Sequence, residues 1–380
     1  MDFGFFYFIS LSFPLRVIAL CAFPCIFGRY MVRRLADIAI VGLLLVVVSC
    51  NNTFDINGNY REEMVVYALL DCGQDTNFLR IQKTFLNEQN ALLTATDPAA
   101  SYYPEDELTV YLKASVNGVF TDSIYCQYVD GDTLGIEKPE GTFSTSPNIL
   151  YRITTPIDSA AMYTLFIIRH QEGDTVTAQT KIVQPFYLYF PTRTDGFISY
   201  ADTGKITYNC KQAVNGIMYD LVMHFTYAEK NLVTGDSTLH TLDWMIFNNR
   251  VGTNTEGNSN ISYTVDRDAF FTYLAATLDE DPDVQRHALY VAFDWYAGGT
   301  EVYEMYLNML ANLGLNQDYI SPEYTNVQGG LGLFSSRRKE SAYNVRLSDA
   351  TIDSLACGTI TDNLGFASAP SNLAYPNCGL

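Results

Sequence analysis

The chain has 380 residues, with 23 basic against 42 acidic side chains and a formal net charge of −19 at pH 7. Such a surface repels phosphate backbones, whose binding rests on basic groups that release counterions, so nucleic acid is excluded as a partner. The length exceeds what one typical core needs and points to two domains, and the 27 Tyr and 23 Phe suit half-buried β surface.

In chain order, residues 1–30 are a Phe-rich stretch broken by Pro14 and Arg16. They read as an extension that arises from a start codon assigned too early, with Met31 the start; the alternative is a real membrane segment ahead of the signal peptide. Residues 31–49 then carry every part of a secretory signal: Arg33 and Arg34 as the basic end, the apolar run Ile38–Val48, and Ser49 as the small residue before the cut. The apolar run falls short of the roughly 20 residues that a membrane-spanning helix needs. Val47-Val48-Ser49-Cys50 resembles a Bacteroidetes-type lipobox. That resemblance implies cleavage before Cys50, diacylglyceride on its sulfur and acyl on the new amine, enough chains for stable anchoring. Removing residues 1–49 takes away four basic and two acidic side chains, leaving 19 and 40 and a net charge of −21. Residues 50–61 are a short polar tether, so the folded part sits near the membrane surface.

Residues 62–185 alternate apolar and polar over short runs with turn residues between them, which predicts an immunoglobulin-like or transthyretin-like β-sandwich of about seven strands. Leu108, Val110, Leu112 and Ala114 share one strand face, and Asn117-Gly118 supplies the positive φ that a two-residue hairpin wants. Residues 186–348 read as a β-rich α+β domain with two helices. Lys205–Gln212 and Met218–Tyr227 are strands, joined as a hairpin through Asn215-Gly216. Asp266 is placed to cap a helix with Phe270, Phe271, Leu274, Ala275 and Leu278 on its apolar face. Thr300 is placed to cap a second, with Val302, Tyr306, Met309, Leu310 and Leu313 inward and Gly314 as its stop. His287–Trp295 lies between them as a strand. Residues 349–380 form a loop-like, cysteine-containing tail, in which Cys357 and Cys378 are the pair expected to form a disulfide.

Motifs for chemistry are sparse. His170, His224, His240 and His287 are scattered with no metal-ligand spacing, and His224 is out of phase with the apolar face of its strand. Gly329-Gly330-Leu331-Gly332 lacks the Lys-Ser/Thr of a phosphate loop, and Asp279–Asp283 lacks the EF-hand pattern. No metal or cofactor is therefore expected. Asp243-Trp244 and Asp294-Trp295 each set an acid beside an aromatic. That arrangement can stack a sugar ring and bond its hydroxyls, whereas the competing reading is a tryptophan buried in the core. The same two carboxylates are the candidate general acid/base pair should the protein be a hydrolase.

The segment Tyr324–Arg337, with Gly329-Gly330-Leu331-Gly332-Leu333-Phe334 at its centre, and Val65–Asp71 near the mature start together resemble a Bacteroidetes lipoprotein family of the DUF4249 type. The resemblance implies an outer-membrane lipoprotein working beside a TonB-dependent transporter, with no catalytic residues to carry over. The expected function is a non-catalytic, lipid-anchored envelope protein that binds a protein partner or nutrient ligand. A carbohydrate-active hydrolase and a structural or adhesive surface protein are the alternatives.

Overall fold

The structure, a computed structural model, describes residues 62–85, 91–192, 196–313 and 323–369. The signal peptide, Cys50, the tether to residue 61 and Cys378 lie outside the described residues. All those described belong to one compact unit, Tyr60–Leu380, and the fold is mainly β, a β-sandwich followed by a β-rich α+β half.

The first half runs β1 (Met64–Leu70), β2 (Asn77–Lys83), two short helices α1 (Ala91–Ala95) and α2 (Pro98–Ser101), β3 (Leu108–Val116), β4 (Val119–Tyr125), β5 (Gln127–Asp130), β6 (Ile149–Ile153), β7 (Met162–Arg169) and β8 (Thr175–Lys181). Its strands obey the period of two. Met64, Val66, Ala68 and Leu70 of β1 face Leu108, Val110, Leu112 and Ala114 of β3 and Tyr163, Leu165 and Ile167 of β7 in one core. Asn117 (φ 53) and Gly118 (φ 78) make the two-residue turn between β3 and β4, as the dipeptide predicts.

The second half continues with β9 (Leu188–Phe190), β10 (Phe197–Ile198), β11 (Lys205–Lys211), β12 (Met218–Asn231), β13 (Ser237–Val251), β14 (Asn260–Asp266), α3 (Ala269–Thr277) and β15 (Val284–Gly298). Then come α4 (Thr300–Asn312), β16 (Val327–Gln328), β17 (Leu331–Leu347) and α5 (Asp349–Cys357). Tyr219, Leu221, Met223, Phe225 and Tyr227 of β12 share the buried face expected of them and meet Phe293 and Trp295 of β15 and Phe270 and Leu274 of α3.

The two halves share a sheet. Nine strands pair in the order β13-β12-β15-β17-β1-β2-β6-β5, with β10 also on β17, while β16-β8-β7-β3-β4 and β14-β11-β9 form the covering sheets. The first part of β17 runs parallel to β1, from Val65↔Leu331 to Leu70↔Ser336. Its second part runs antiparallel to β15, from Gly298↔Arg337 to Val291↔Val345. A cut at residue 185 therefore does not follow the sheets, because β16 and the start of β17 lie within 186–348 yet complete the first sandwich.

Four expectations change. Lys205–Lys211 and Met218–Asn231 are not a hairpin: β11 pairs with β14 and β9, and β12 with β13 and β15. Both strands bury apolar side chains in the same core from opposite sheets, so the chain at Asn215 (φ 64) crosses between the sheets, held by Ala213 N–H on the Tyr219 hydroxyl (2.8 Å) and the Asn215 amide on Ile182 O (2.9 Å). Asp266 caps nothing, since it ends β14 opposite Lys205, and Asp268 stands at the helix start. The helix from Thr300 buries none of its side chains; Leu313 is 75 % exposed. It lies on the outer face of the shared sheet, against β17 and β12, rather than in a core. Lastly, the tail is not loop-like throughout. Ser348 Oγ accepts the Thr351 N–H (3.1 Å) to start α5, and Leu355 and Ala356 enter the second core.

Gly332 stands where β17 meets β1. It is buried with φ +110, and a Cβ there would collide with the backbone of Val66. Gly332→Ala is expected to destabilise the fold by at least about 2 kcal/mol through backbone strain and the lost pairing. Gly118→Ala, also at positive φ but facing open space, is expected to cost roughly 1 kcal/mol. Urea denaturation of the two variants measures the difference.

Candidate functional site

Strand alternation decides the fate of the two acid–tryptophan pairs. Trp295 points inward, wholly buried, edge-on to Phe247 with ring centroids 5.5 Å apart. Its indole N–H has no partner among the described residues. Trp244 also faces the core side, half-buried and stacked on Tyr273 at 5.8 Å. Neither ring is a free platform for a sugar, which is the outcome of the competing core reading.

Their acidic neighbours turn to the other face, where the structure brings them together through His224 of β12. Nδ1 lies 2.6 Å from Asp243 Oδ1 and Nε2 lies 3.2 Å from Asp294 Oδ2. Asp294 is only 6 % exposed. It accepts hydrogen bonds from Ser341 Oγ (2.6 Å), Lys339 Nζ (3.0 Å) and the Tyr296 hydroxyl (3.3 Å). Burial by itself would raise its pKa, but these donors and the neighbouring His224 outweigh burial and hold the carboxyl below the ordinary carboxylate range. Lys339 responds in kind: burial disfavours its charge, and Asp294 more than restores it. A carboxylate held ionised by so many donors is poorly suited to deliver a proton as a general acid. Among the described residues no group of three or more His, Cys, Asp or Glu side chains is arranged to hold a metal ion.

Next to this network the outer face of the shared sheet is concave. A cleft of about 960 Å³ lies over β2, β1, β17 and β15, floored by Tyr67, Leu69 and Leu333 and walled by Arg80, Tyr296 and Arg337. Lys339 lines it too, so its ammonium links the Asp294 network to the cleft. Met305 of α4 forms one rim and also lines a second, more apolar groove of about 490 Å³ with Val302, Tyr306 and Met309. Asp243 and Asp294 line neither. The two segments read together in the sequence, Val65–Asp71 and Tyr324–Arg337, thus contain adjacent parallel strands beneath the cleft, paired from Val65↔Leu331 to Leu70↔Ser336. The signal that would have found it is Arg337-Arg338-Lys339, three cations inside a strand of an acidic chain.

The remaining candidates are elsewhere. Cys357 is disulfide-bonded, and its expected partner Cys378 lies outside the described residues. Cys72, Cys126 and Cys210 are free thiols, and burial pushes Cys126 up to about 12. No helix among the described residues is long and apolar enough to cross a membrane.

No family model matches the chain and no curated protein matches it. Among solved structures, the C-terminal globular domain of an oligosaccharyltransferase from Pyrococcus abyssi is 13 % identical over 76 % of this chain and 49 % of that one, with a TM-score of 0.19. The chicken CNTN1 FN1–FN3 domains are 9 % identical over 74 % and 64 %, with a TM-score of 0.15. The chain thus spans about half the length of the first and under two thirds of the second.

Asp294→Asn tests the network. A carboxyl with a depressed folded pKa stabilises the fold fully above its unfolded value, about 3.9, and that stabilisation is lost as pH falls through the folded value. The variant is expected to be less stable than wild type at pH 7 by about 1.5–3 kcal/mol, the worth of hydrogen bonds to a charged group. The gap is expected to close as the pH drops below the unfolded value. Urea titrations across the acid range read it directly.

Proposed function

We propose that the chain is a non-catalytic lipoprotein of the cell envelope, anchored by lipid at Cys50 in the outer membrane, whose folded part binds a nutrient ligand beside an outer-membrane transporter. The observation that carries this reading is the cleft on the shared sheet. It is concave, it mixes aromatic floor with polar wall, and it sits on strands made rigid by two cores, as a preformed binding site requires. The hydrolase alternative is weaker, because Asp243 and Asp294 are tied to one histidine and to structural donors rather than set on either side of the cleft. The exposed face of α4, with Met305, Leu307, Met309 and Leu310 each partly or largely open, is a natural contact for the transporter.

Two measurements test the reading. Cys50→Ala is expected to abolish incorporation of labelled palmitate and to release the protein from the membrane fraction; retention of label would overturn the anchor. Affinity purification of the lipidated protein from native membranes is expected to bring down a large outer-membrane transporter, and protease treatment of intact cells is expected to remove the protein. Recovery alone, with full protection from protease, would overturn the transporter role.

A further inference from the structure

A chain with 42 acidic and 23 basic side chains repels anions over most of its surface, so cations gathered without acids stand out against that field. The cleft is such a place. Arg80, Arg337 and Lys339 line it, against Asp71 as the one acid. Asp71 is 3 % exposed, bonded to the Gly73 N–H (2.8 Å) and faced at 3.6 Å by the Arg338 guanidinium from the inner side of the sheet, so its charge is already met. Lys339 is shared with Asp294. Among the described residues Arg80 donates only to neutral groups, the Tyr102 hydroxyl (3.2 Å) and Asn148 Oδ1 (2.7 Å). Lys138 beside it is lowered by burial and by Arg80 itself, as expected where two cations adjoin. Arg337 is exposed and forms no ion pair among the described residues.

Between the two arginines the floor offers the Tyr67 ring, and Tyr296, the register partner of Lys339, stands at the wall on β15. Arg80 is the register partner of Tyr67, and Tyr67 that of Leu333, so the three form one row across β2, β1 and β17. Arg337 lies four residues further along β17. With strands ~4.8 Å apart and ~3.3 Å of rise per residue, the two arginine Cα atoms stand roughly 16 Å apart. That span suits an extended ligand with repeated negative groups and flat faces.

We infer that the cleft binds an acidic oligosaccharide, with carboxylate or sulfate groups against Arg80 and Arg337 and sugar rings over Tyr67 and Tyr296. The inference rests on the ligand-binding reading above and names the class of its ligand. Arginine suits the task because its planar fork bonds carboxylate and sulfate oxygens in pairs.

The test is calorimetry on the detergent-solubilised full chain with three probes: an oligogalacturonate, its methyl ester, which keeps the rings and loses the charge, and a heparin-derived oligosaccharide. At least one acidic probe is expected to bind, more weakly as salt is raised, and the ester is not. Arg337→Gln, at an exposed position, is expected to weaken binding about tenfold with an unchanged melting temperature. Arg80→Gln is expected to weaken binding as well, and Arg337→Gln keeps the test decisive should the Arg80 variant unfold. Failure of both acidic probes, equal binding of the ester, or unchanged affinity in a folded Arg337→Gln would overturn the inference. Because binding is read on purified protein and transporter contact on native membranes, failure of one leaves the other measurable.

Discussion

Strand β17 has to serve two hydrophobic cores with one backbone. Phe334 is wholly buried in the first core, and Ala342, Val345 and Leu347 are buried in the second. The strand must therefore keep one register against β1 and another, of opposite direction, against β15. A slip of one residue at either end would turn every side chain there to the wrong face. The step from 342 to 345 is accommodated by an extra residue near Asn344, which takes φ 55 where the ladder to β15 shifts register, a bulge that resets the alternation.

Between the cores the same strand crosses a polar seam, and burying such groups is tolerable only when each is bonded. Ser336 Oγ donates to Lys181 O (2.6 Å) and accepts the Val183 N–H (3.0 Å), which ties β17 to the end of the first sandwich. Arg338 reaches Glu340 (2.8 Å) and Asp71 (3.6 Å). Ser335 Oγ donates to Glu301 (2.7 Å), fixing the start of α4 on the outer face. The seam thus replaces apolar packing with directional bonds, which set the position of each element that meets there.

This long-range arrangement explains what sequence reasoning reaches and where it stops. Alternation identifies the buried faces of β1, β3, β7 and β12, because a half-buried strand writes its period of two into its own residues. Two Asn-Gly dipeptides, Asn117-Gly118 and Asn215-Gly216, show the limit. Both put asparagine at positive φ, yet Asn117-Gly118 closes a hairpin and Asn215-Gly216 carries the chain from one sheet to the other. The local signal specifies a turn; which strands pair afterwards is decided by where their apolar faces are buried. The helix at Thr300 fails for a related reason, since an apolar period says that a face is apolar and not that a core awaits it. Of the candidate site, Asp243 and Asp294 are brought together only because β13, β12 and β15 are adjacent. Tyr67 and Arg80, on consecutive strands, meet Arg337 only because β17, distant in sequence, pairs with β1, and no spacing along the chain announces such a meeting.

The pleat of β17 also sorts three consecutive cations into different environments. Arg338 turns to the inner side, where Asp71 and Glu340 neutralise it, and Lys339 turns outward to Asp294. Both have structural partners that account for their presence: an unpaired charge at those half-buried positions would be costly, and each pair holds adjacent strands in place. Arg337 differs. It is exposed, it bonds to no acid among the described residues, and it would be as well solvated in any register. Packing and pairing thus explain two of the three cations. The third, on an acidic chain and at the wall of a cleft, contributes a field that the fold does not require, and a field of that kind acts on what enters the cleft.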